Sequence, residues 1–257
     1  MRFPHLIKYV VTYYHKIIVW AKAGKMALCL GLIALAILAA PVCAADAPLG
    51  GATIRLPMFN QDSEYGERLY QQGLMQFKQG HHDQAAQLWR LLAEDGNRDA
   101  QFALGELYAS GDVQAGIDRN LAKAAKWYRR AAKQGHASAQ YNLGVFYASG
   151  VGVPHDLREA ARWWRLAALQ GHIQAQFNLG LLYAQGTGVE PNPAEAVRWW
   201  GMAAGHGYAP AQFNLGLMYI MGEGVKESRT QALRLWQLSA KQGFGQAIHA
   251  LRVLKPH

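Results

Sequence analysis

The stretch AQFNLGLLYAQG, at residues 175–186, occurs in nearly the same form at other places in the chain. It appears 36 residues earlier as AQYNLGVFYASG (139–150) and 36 residues later as AQFNLGLMYIMG (211–222). A fourth copy, AQFALGELYASG, begins at Ala100. A fixed period of about 20 to 50 residues is typical of a stacked array of repeats rather than of a single globular core.

Each copy belongs to a unit that contains two helical patterns. In the first, Ala139, Leu143 and Tyr147 lie four residues apart and therefore on one face of a helix. Gly150 follows at the place where a left-handed glycine commonly ends a helix. The second pattern, LREAARWWRLAALQ at residues 157–170, also gathers its small and aromatic residues on one face. The sequence therefore predicts a helix hairpin in every unit.

A helix-start signal recurs before each second helix. Residues whose side chains accept hydrogen bonds from free backbone amides stand four positions before its first alanine: Asn120, Asp156, Asn192 and Ser228. Three residues further on, Glu159, Glu195 and Gln231 complete a pattern that resembles a capping box. These signals predict where the second helices begin.

Glycines recur in the middle of the first helices, at Gly144, Gly180 and Gly216. A glycine inside a helix costs about 1 kcal/mol relative to alanine. Because the cost is repeated at one register, we expect these glycines to allow a close approach between helices, where a side chain would clash.

The repeats define the domain organisation. The distance from the first alanine of a second helix to the leading residue of the next unit is always 15 residues, as from Ala160 to Ala175, whereas the connection inside a unit varies in length. We predict five helix pairs and a closing C-terminal helix, at residues 64–99 (a looser copy), 100–138, 139–174, 175–210, 211–246 and 247–257. Each unit would bury its apolar face on its neighbours, as in a solenoid.

The pattern A-Q-x-N-L-G-x-x-Y-x-x-G, followed by G-V and then by A-x-x-W-W-x-x-A-A-x-Q-G, resembles the Sel1-like repeat, a branch of the tetratricopeptide superfamily. The resemblance covers roughly residues 64 to 250, and the first unit is closer to a plain tetratricopeptide hairpin. It implies an all-α fold, a right-handed α/α superhelix whose concave face binds other proteins. It also implies that the protein is of a type often exported by bacteria, with some members implicated in envelope assembly or host contact.

The N-terminus is typical of an export signal. Residues 1–44 contain basic residues, then an apolar run at 27–40, then small residues suited to cleavage after Ala44. We expect cleavage and a periplasmic mature protein; the alternatives are an uncleaved anchor at residues 26–41 and lipidation at Cys43. Residues 45–63 have the proline and glycine content of a flexible linker.

Charge and cysteine content exclude several function classes. The formal net charge is +9, but the first 45 residues hold five basic residues and no acidic one, which leaves 21 basic against 17 acidic residues. Such a mild excess predicts a solvated surface, so we expect no nucleic-acid partner. Both cysteines, Cys29 and Cys43, precede the predicted cleavage site, so no disulfide or thiolate chemistry is expected in the mature chain.

Six polar residues are candidates for partner binding. Asn142, Asn178 and Asn214 share one register and would form a polar ladder on the first helices, and Gln140, Gln176 and Gln212 lie two residues before them. The ladder could bond a peptide backbone. The alternative, which we favour, is that each amide braces a neighbouring loop, because buried amides are usually bonded locally.

Histidines and tryptophans also recur. His136 and His172 follow helix-ending glycines, but aromatic residues stand at the same position in later units, which predicts a packing role rather than a metal site. The pairs Trp163–Trp164 and Trp199–Trp200 could stack on sugar rings, although core packing is expected.

The residues favour a binding protein over an enzyme. None of the six serines begins an S-x-x-K motif, and the glycine-rich turns lack the strand and lysine of a phosphate-binding loop. We therefore predict an exported, non-enzymatic scaffold for a protein partner, without metal or cofactor. A hydrolase of cell-wall material or β-lactams, and a carbohydrate-binding module, are the alternatives.

Overall fold

The computed structural model describes residues 64–254. They form eleven α-helices: α1 (Glu64–Lys78), α2 (His82–Glu94), α3 (Arg98–Ser110), α4 (Leu121–Lys133), α5 (Ala137–Ser149), α6 (Leu157–Leu169), α7 (Ile173–Gln185), α8 (Pro193–Gly205), α9 (Ala209–Met221), α10 (Arg229–Lys241) and α11 (Gly245–Leu254). Within this range the single β-bridge joins Asp112 to Ile117. The all-α class is thus confirmed, whereas the predicted leader and linker lie outside the described residues.

The helices pack in the order of the chain. The principal helix–helix contacts all join consecutive helices, from α1 with α2 to α10 with α11. Five hairpins result, in which α1, α3, α5, α7 and α9 are the first helices and α2, α4, α6, α8 and α10 the second helices. Packing restricted to neighbours is the property of a solenoid, so the predicted array of five helix-hairpin repeats is confirmed.

Small residues allow the helices to approach closely. Ala160, Ala175, Ala196 and Ala211, which lead successive helices, are completely buried. Large rings, including Trp164 and those at the equivalent positions of later repeats, fill the space between them. Between residues 64 and 254, the buried residues form three clusters that follow one another along the chain, so the interior has no single centre.

The second helices begin at the predicted caps. Asn120 and Asp156 accept hydrogen bonds from the amides of Lys123 and Arg158 at 2.9 Å, and Asn192 and Ser228 act in the same way. The capping-box prediction was wrong in its second half. The amide of each cap residue donates instead to a tyrosine carbonyl of the preceding first helix, as from Asp156 to Tyr147 at 2.9 Å. The start of each second helix is thereby tied to the end of its own first helix.

The mid-helix glycines allow a close approach between helices, as predicted, and the group that approaches each of them is a tryptophan ring. A Cβ atom added at Gly180 would lie 2.5 Å from Nε1 of Trp200. Gly144 and Gly216 face Trp164 and Trp236 in the same way. The Trp200 indole N–H donates to the carbonyl of Phe177, three residues before the glycine, at 3.1 Å. Each glycine therefore admits a tryptophan that is bonded directly to the backbone of the first helix.

A candidate protein-binding site on the first helices

The first helices α5, α7 and α9 contain no charged residue. Asn142, Asn178 and Asn214 lie half-exposed at one register of these helices. Residues three and seven positions later lie on the same side of an α-helix. We call this surface the first-helix face: the three asparagines with Val145, Leu181, Ser149, Gln185 and Met221. It offers amide and apolar groups but no charge.

The asparagines differ in how far their amides are already bonded, and Asn142 is the most engaged. Its Nδ2 donates to Oε1 of Glu106 on the preceding first helix at 2.8 Å. The same carboxylate oxygen accepts the hydroxyl of Tyr128, whose pKa is raised by burial and by this neighbouring negative charge. Asn142 therefore braces its repeat against the one before it, through a side chain on a helix rather than through the neighbouring loop that the sequence favoured.

The side chains of Asn178 and Asn214 interact less with the rest of the array than that of Asn142 does, and Asn214 interacts least. Asn178 lies beside the hydroxyl of Tyr141, and this interaction offsets part of the rise in the Tyr141 pKa that burial causes. At the position that Tyr141 would take in the next repeat stands Phe177, which has no hydroxyl. Among the residues that the structure describes, Asn214 accordingly has no side-chain hydrogen bond. Its amide is therefore the least engaged of the three within the described part of the array.

The glutamines point into the array. Gln140, Gln176 and Gln212 are at most 4% exposed. Each donates to a carbonyl eight residues earlier, at the end of the preceding second helix, as from Gln140 to Ala132 at 3.0 Å. Their oxygens accept from a second glutamine, as Gln140 accepts from Gln170 at 2.7 Å. These side chains brace adjacent helices and are not part of the first-helix face.

Gln176 is the exception within this glutamine network. Its Oε1 is buried and has no hydrogen-bond partner between residues 64 and 254. The donor position, occupied by glutamine in the repeats on either side, holds His206, which is exposed to solvent. One glutamine pair is therefore interrupted in the fourth repeat.

The two repeated histidines pack as predicted. The rings of His136 and His172 stack on Phe102 and Tyr141 with centroid distances of 4.3 and 4.4 Å. Their Nδ1 atoms accept the amides of Ala139 and Ala175 and so cap the following helix. Burial lowers the pKa of both imidazoles. Over residues 64–254 no group of three metal-binding side chains occurs.

A family model for the Sel1 repeat matches five consecutive segments, at residues 63–97, 98–136, 137–172, 173–208 and 209–244. The chain belongs to the Sel1 repeat family. Such repeats form a non-catalytic scaffold that typically mediates protein–protein interaction. No curated protein matches the chain.

Two solved Sel1 repeat structures resemble this protein. A protective antigen present in uropathogenic Escherichia coli strains is 34% identical, with a TM-score of 0.67 over 71% of this chain. This chain spans only 39% of that antigen. A Sel1 repeat protein from Oxalobacter formigenes is 35% identical, with a TM-score of 0.65 over 69% of this chain and 72% of its own. Both likenesses agree with the stacked helix hairpins.

The Sel1 tryptophans are largely structural. Trp164 and Trp200 are 6% and 4% exposed, and Trp199 is 2% exposed and donates to Glu195 at 3.0 Å. Trp163 is half-buried, and its Nε1 is buried without a hydrogen-bond partner. Of these four rings, only Trp163 therefore presents an appreciable surface to solvent.

No helix between residues 64 and 254 has the length and apolar character needed to span a bilayer.

The Glu106–Tyr128 pair was not predicted from the sequence, although one feature of the sequence indicated it. Glu106 is a charged residue at a register where the later first helices have Val145, Leu181 and Leu217.

Proposed function

We propose that this Sel1 repeat protein is an exported scaffold that binds an extended segment of a partner protein along the first-helix face, the concave side of the superhelix. The observation that carries the proposal is the row of half-exposed asparagines on helices without charge. An amide both donates and accepts, so it matches the alternating groups of a peptide backbone. Val145 and Leu181 offer apolar contacts beside these amides.

The lack of charge on α5, α7 and α9 favours a partner segment of uncharged or apolar character. Burying a charge without a partner is costly, and none of the side chains on these helices would neutralise one. Glu106 and Asp99 on α3 extend the same side of the array into the second repeat. A basic residue at one end of the bound segment is therefore the charge that this surface accommodates best.

Export of the protein rests on the sequence of residues 1–44, and a role in envelope assembly or host contact rests on the family resemblance. One relative is a protective antigen present in uropathogenic Escherichia coli strains, which supports the second of these roles. N-terminal sequencing of the protein recovered from the periplasm tests the export step. An intact leader on periplasm-facing protein would point to an anchor instead.

Site-specific photo-crosslinking in intact cells tests the binding surface. A photoreactive residue is placed at Gln174 or Gln185, on the exposed side of α7, and in a control protein at Val113, which is 96% exposed in the loop before α4. We expect a defined partner to be crosslinked from α7 and not from Val113. Equal crosslinking at all three positions would mean that the first-helix face is not the binding surface.

The difference between the asparagines sharpens this test. Asn214→Ala removes a side chain without a described hydrogen bond, so binding should fall roughly fivefold while stability is unchanged. Asn142→Ala breaks the bond to Glu106 and should lower stability by about 1 kcal/mol. If Asn214→Ala leaves crosslinking from α7 unchanged, the asparagine row does not contact the partner.

A further inference from the structure

From α4 to α10, all charged residues of the helices lie on the second helices. The second helices α4, α6, α8 and α10 carry twelve basic and two acidic residues, whereas the first helices α5, α7 and α9 carry none of either kind. The positive charge of this part of the array is therefore concentrated on the second helices. It lies on helices other than those of the proposed peptide-binding surface.

The basic residues of these helices are regularly spaced. Two residues after the first buried alanine of each second helix stands an exposed basic residue: Lys126, Arg162, Arg198 and Arg234. Six residues after the same alanine stand the exposed side chains of Arg130, Leu166, Met202 and Leu238. Positions four apart are neighbours on a helix surface, so the two rows run side by side along the array. We call these eight residues the second-helix face.

The basic groups of this face are accessible. Lys126 and Arg234 make no ion pair within the described part of the chain. Arg162 and Arg198 are paired with glutamates three residues earlier on their own helices, but their side chains remain 75% and 59% exposed. Surface pairs of this kind contribute only about 0.2 to 1 kcal/mol. An external carboxylate can therefore compete for both guanidinium groups.

The apolar row determines what kind of anion fits. Leu166, Met202 and Leu238 are 44%, 39% and 39% exposed, so each offers a shallow apolar contact between basic side chains. Nucleic-acid phosphates would leave this row unused, and a bilayer would take apolar side chains that project further. We propose that the second-helix face binds an acidic amphipathic helix of a partner protein, with its carboxylates on the basic row and its apolar stripe on the leucine–methionine row.

A defined peptide tests the proposal with the full chain. The probe is a blocked helical peptide of about 20 residues, about 30 Å long, with leucines on one face and glutamates on the other. We expect it to bind, and a peptide with lysine in place of glutamate not to bind. The variant Lys126→Gln/Arg162→Gln/Arg198→Gln/Arg234→Gln should raise the Kd about 30-fold, from four lost surface contacts of about 0.5 kcal/mol each.

A matched control removes the same charge elsewhere. Arg68→Gln/Lys78→Gln/Lys226→Gln/Arg252→Gln changes four exposed basic residues outside the second-helix face and should leave the Kd within about threefold. Leu166→Ser/Met202→Ser/Leu238→Ser tests the apolar row and should also weaken binding. Circular dichroism establishes that every variant is folded.

Three results would overturn the proposal. The first is an equal loss of affinity in the second-helix and control variants, which indicates general charge attraction. The second is full affinity after the leucine and methionine substitutions. The third is binding to phosphatidylglycerol vesicles, lost in the second-helix variant, without binding to the acidic peptide, which assigns the face to a lipid surface. None of these results depends on the crosslinking from α7, so the two binding surfaces are tested separately.

Discussion

The same substitution, glycine to alanine, should change stability in opposite directions at two positions of this array. Alanine is favoured over glycine in a helix by about 1 kcal/mol. At Gly201, in the middle of α8, an added Cβ meets nothing within 4 Å, so that gain should appear as increased stability. At Gly180, in the middle of α7, the Cβ would lie 2.5 and 2.6 Å from Nε1 and Cδ1 of Trp200.

The loss at Gly180 follows from what Trp200 does. Its ring is 4% exposed, so it has little space into which to retreat. Overpacking costs about 1 to 3 kcal/mol, and moving the ring also strains the 3.1 Å hydrogen bond to the Phe177 carbonyl, worth about 1 kcal/mol. After the helix-propensity gain is subtracted, Gly180→Ala should destabilise the protein by about 2 kcal/mol.

Thermal unfolding followed by circular dichroism and tryptophan fluorescence measures both effects. For an array of this size, about 1 kcal/mol corresponds to about 2 to 4 °C in Tm. We expect Gly180→Ala to lower the Tm by about 4 to 8 °C and Gly201→Ala to raise it by about 2 to 4 °C. Changes of the same sign and size at both positions would refute the close approach between the glycine and the tryptophan.

Two further substitutions test the interior of the array. His206→Gln should restore the donor missing from Gln176 and stabilise the protein by about 1 kcal/mol in urea unfolding; no gain would mean that a solvent molecule already serves Gln176. Burial lowers the pKa of His172 in the folded protein. As the pH falls below about 6.5, the unfolded chain is therefore protonated at this histidine before the folded protein is. The free energy of unfolding decreases until the pH reaches the pKa of the folded protein. His172→Tyr, the residue type found at Tyr208, should reduce this decline between pH 7 and 5.

The packing positions were predictable from the sequence because they recur. Ala160, Trp164 and Gly144 stand at fixed spacings in several repeats, and only a helix hairpin stacked in register explains all three. The failure of the capping box has a local cause. A short turn brings the amide of Asp156 within reach of the Tyr147 carbonyl, so Glu159 is left to pair with Arg162. Spacing along the chain gave no indication of that backbone contact.

The glutamines and asparagines were grouped by sequence proximity, and helix geometry separates them. Gln140 and Asn142 are two residues apart, which rotates their side chains by about 200° around the helix axis. One residue must therefore face inward when the other faces outward. The spacing indicates that only one of the two side chains is buried. Which of them is buried depends on the preceding second helix, whose Ala132 carbonyl accepts a hydrogen bond from the Gln140 amide.

The partner specificity of the array is set where the repeats differ. Larger side chains do not fit at positions such as Ala175 and Gly180, because neighbouring helices pack closely against them there. Positions with little part in the packing do vary: Glu106 replaces an apolar residue, Arg130 replaces an apolar residue, and Gly201 replaces the arginine seen at Arg165. Because the fold tolerates several residue types at these points, they distinguish one end of each surface from the other. A bound segment can therefore have a preferred register and direction on an otherwise periodic scaffold.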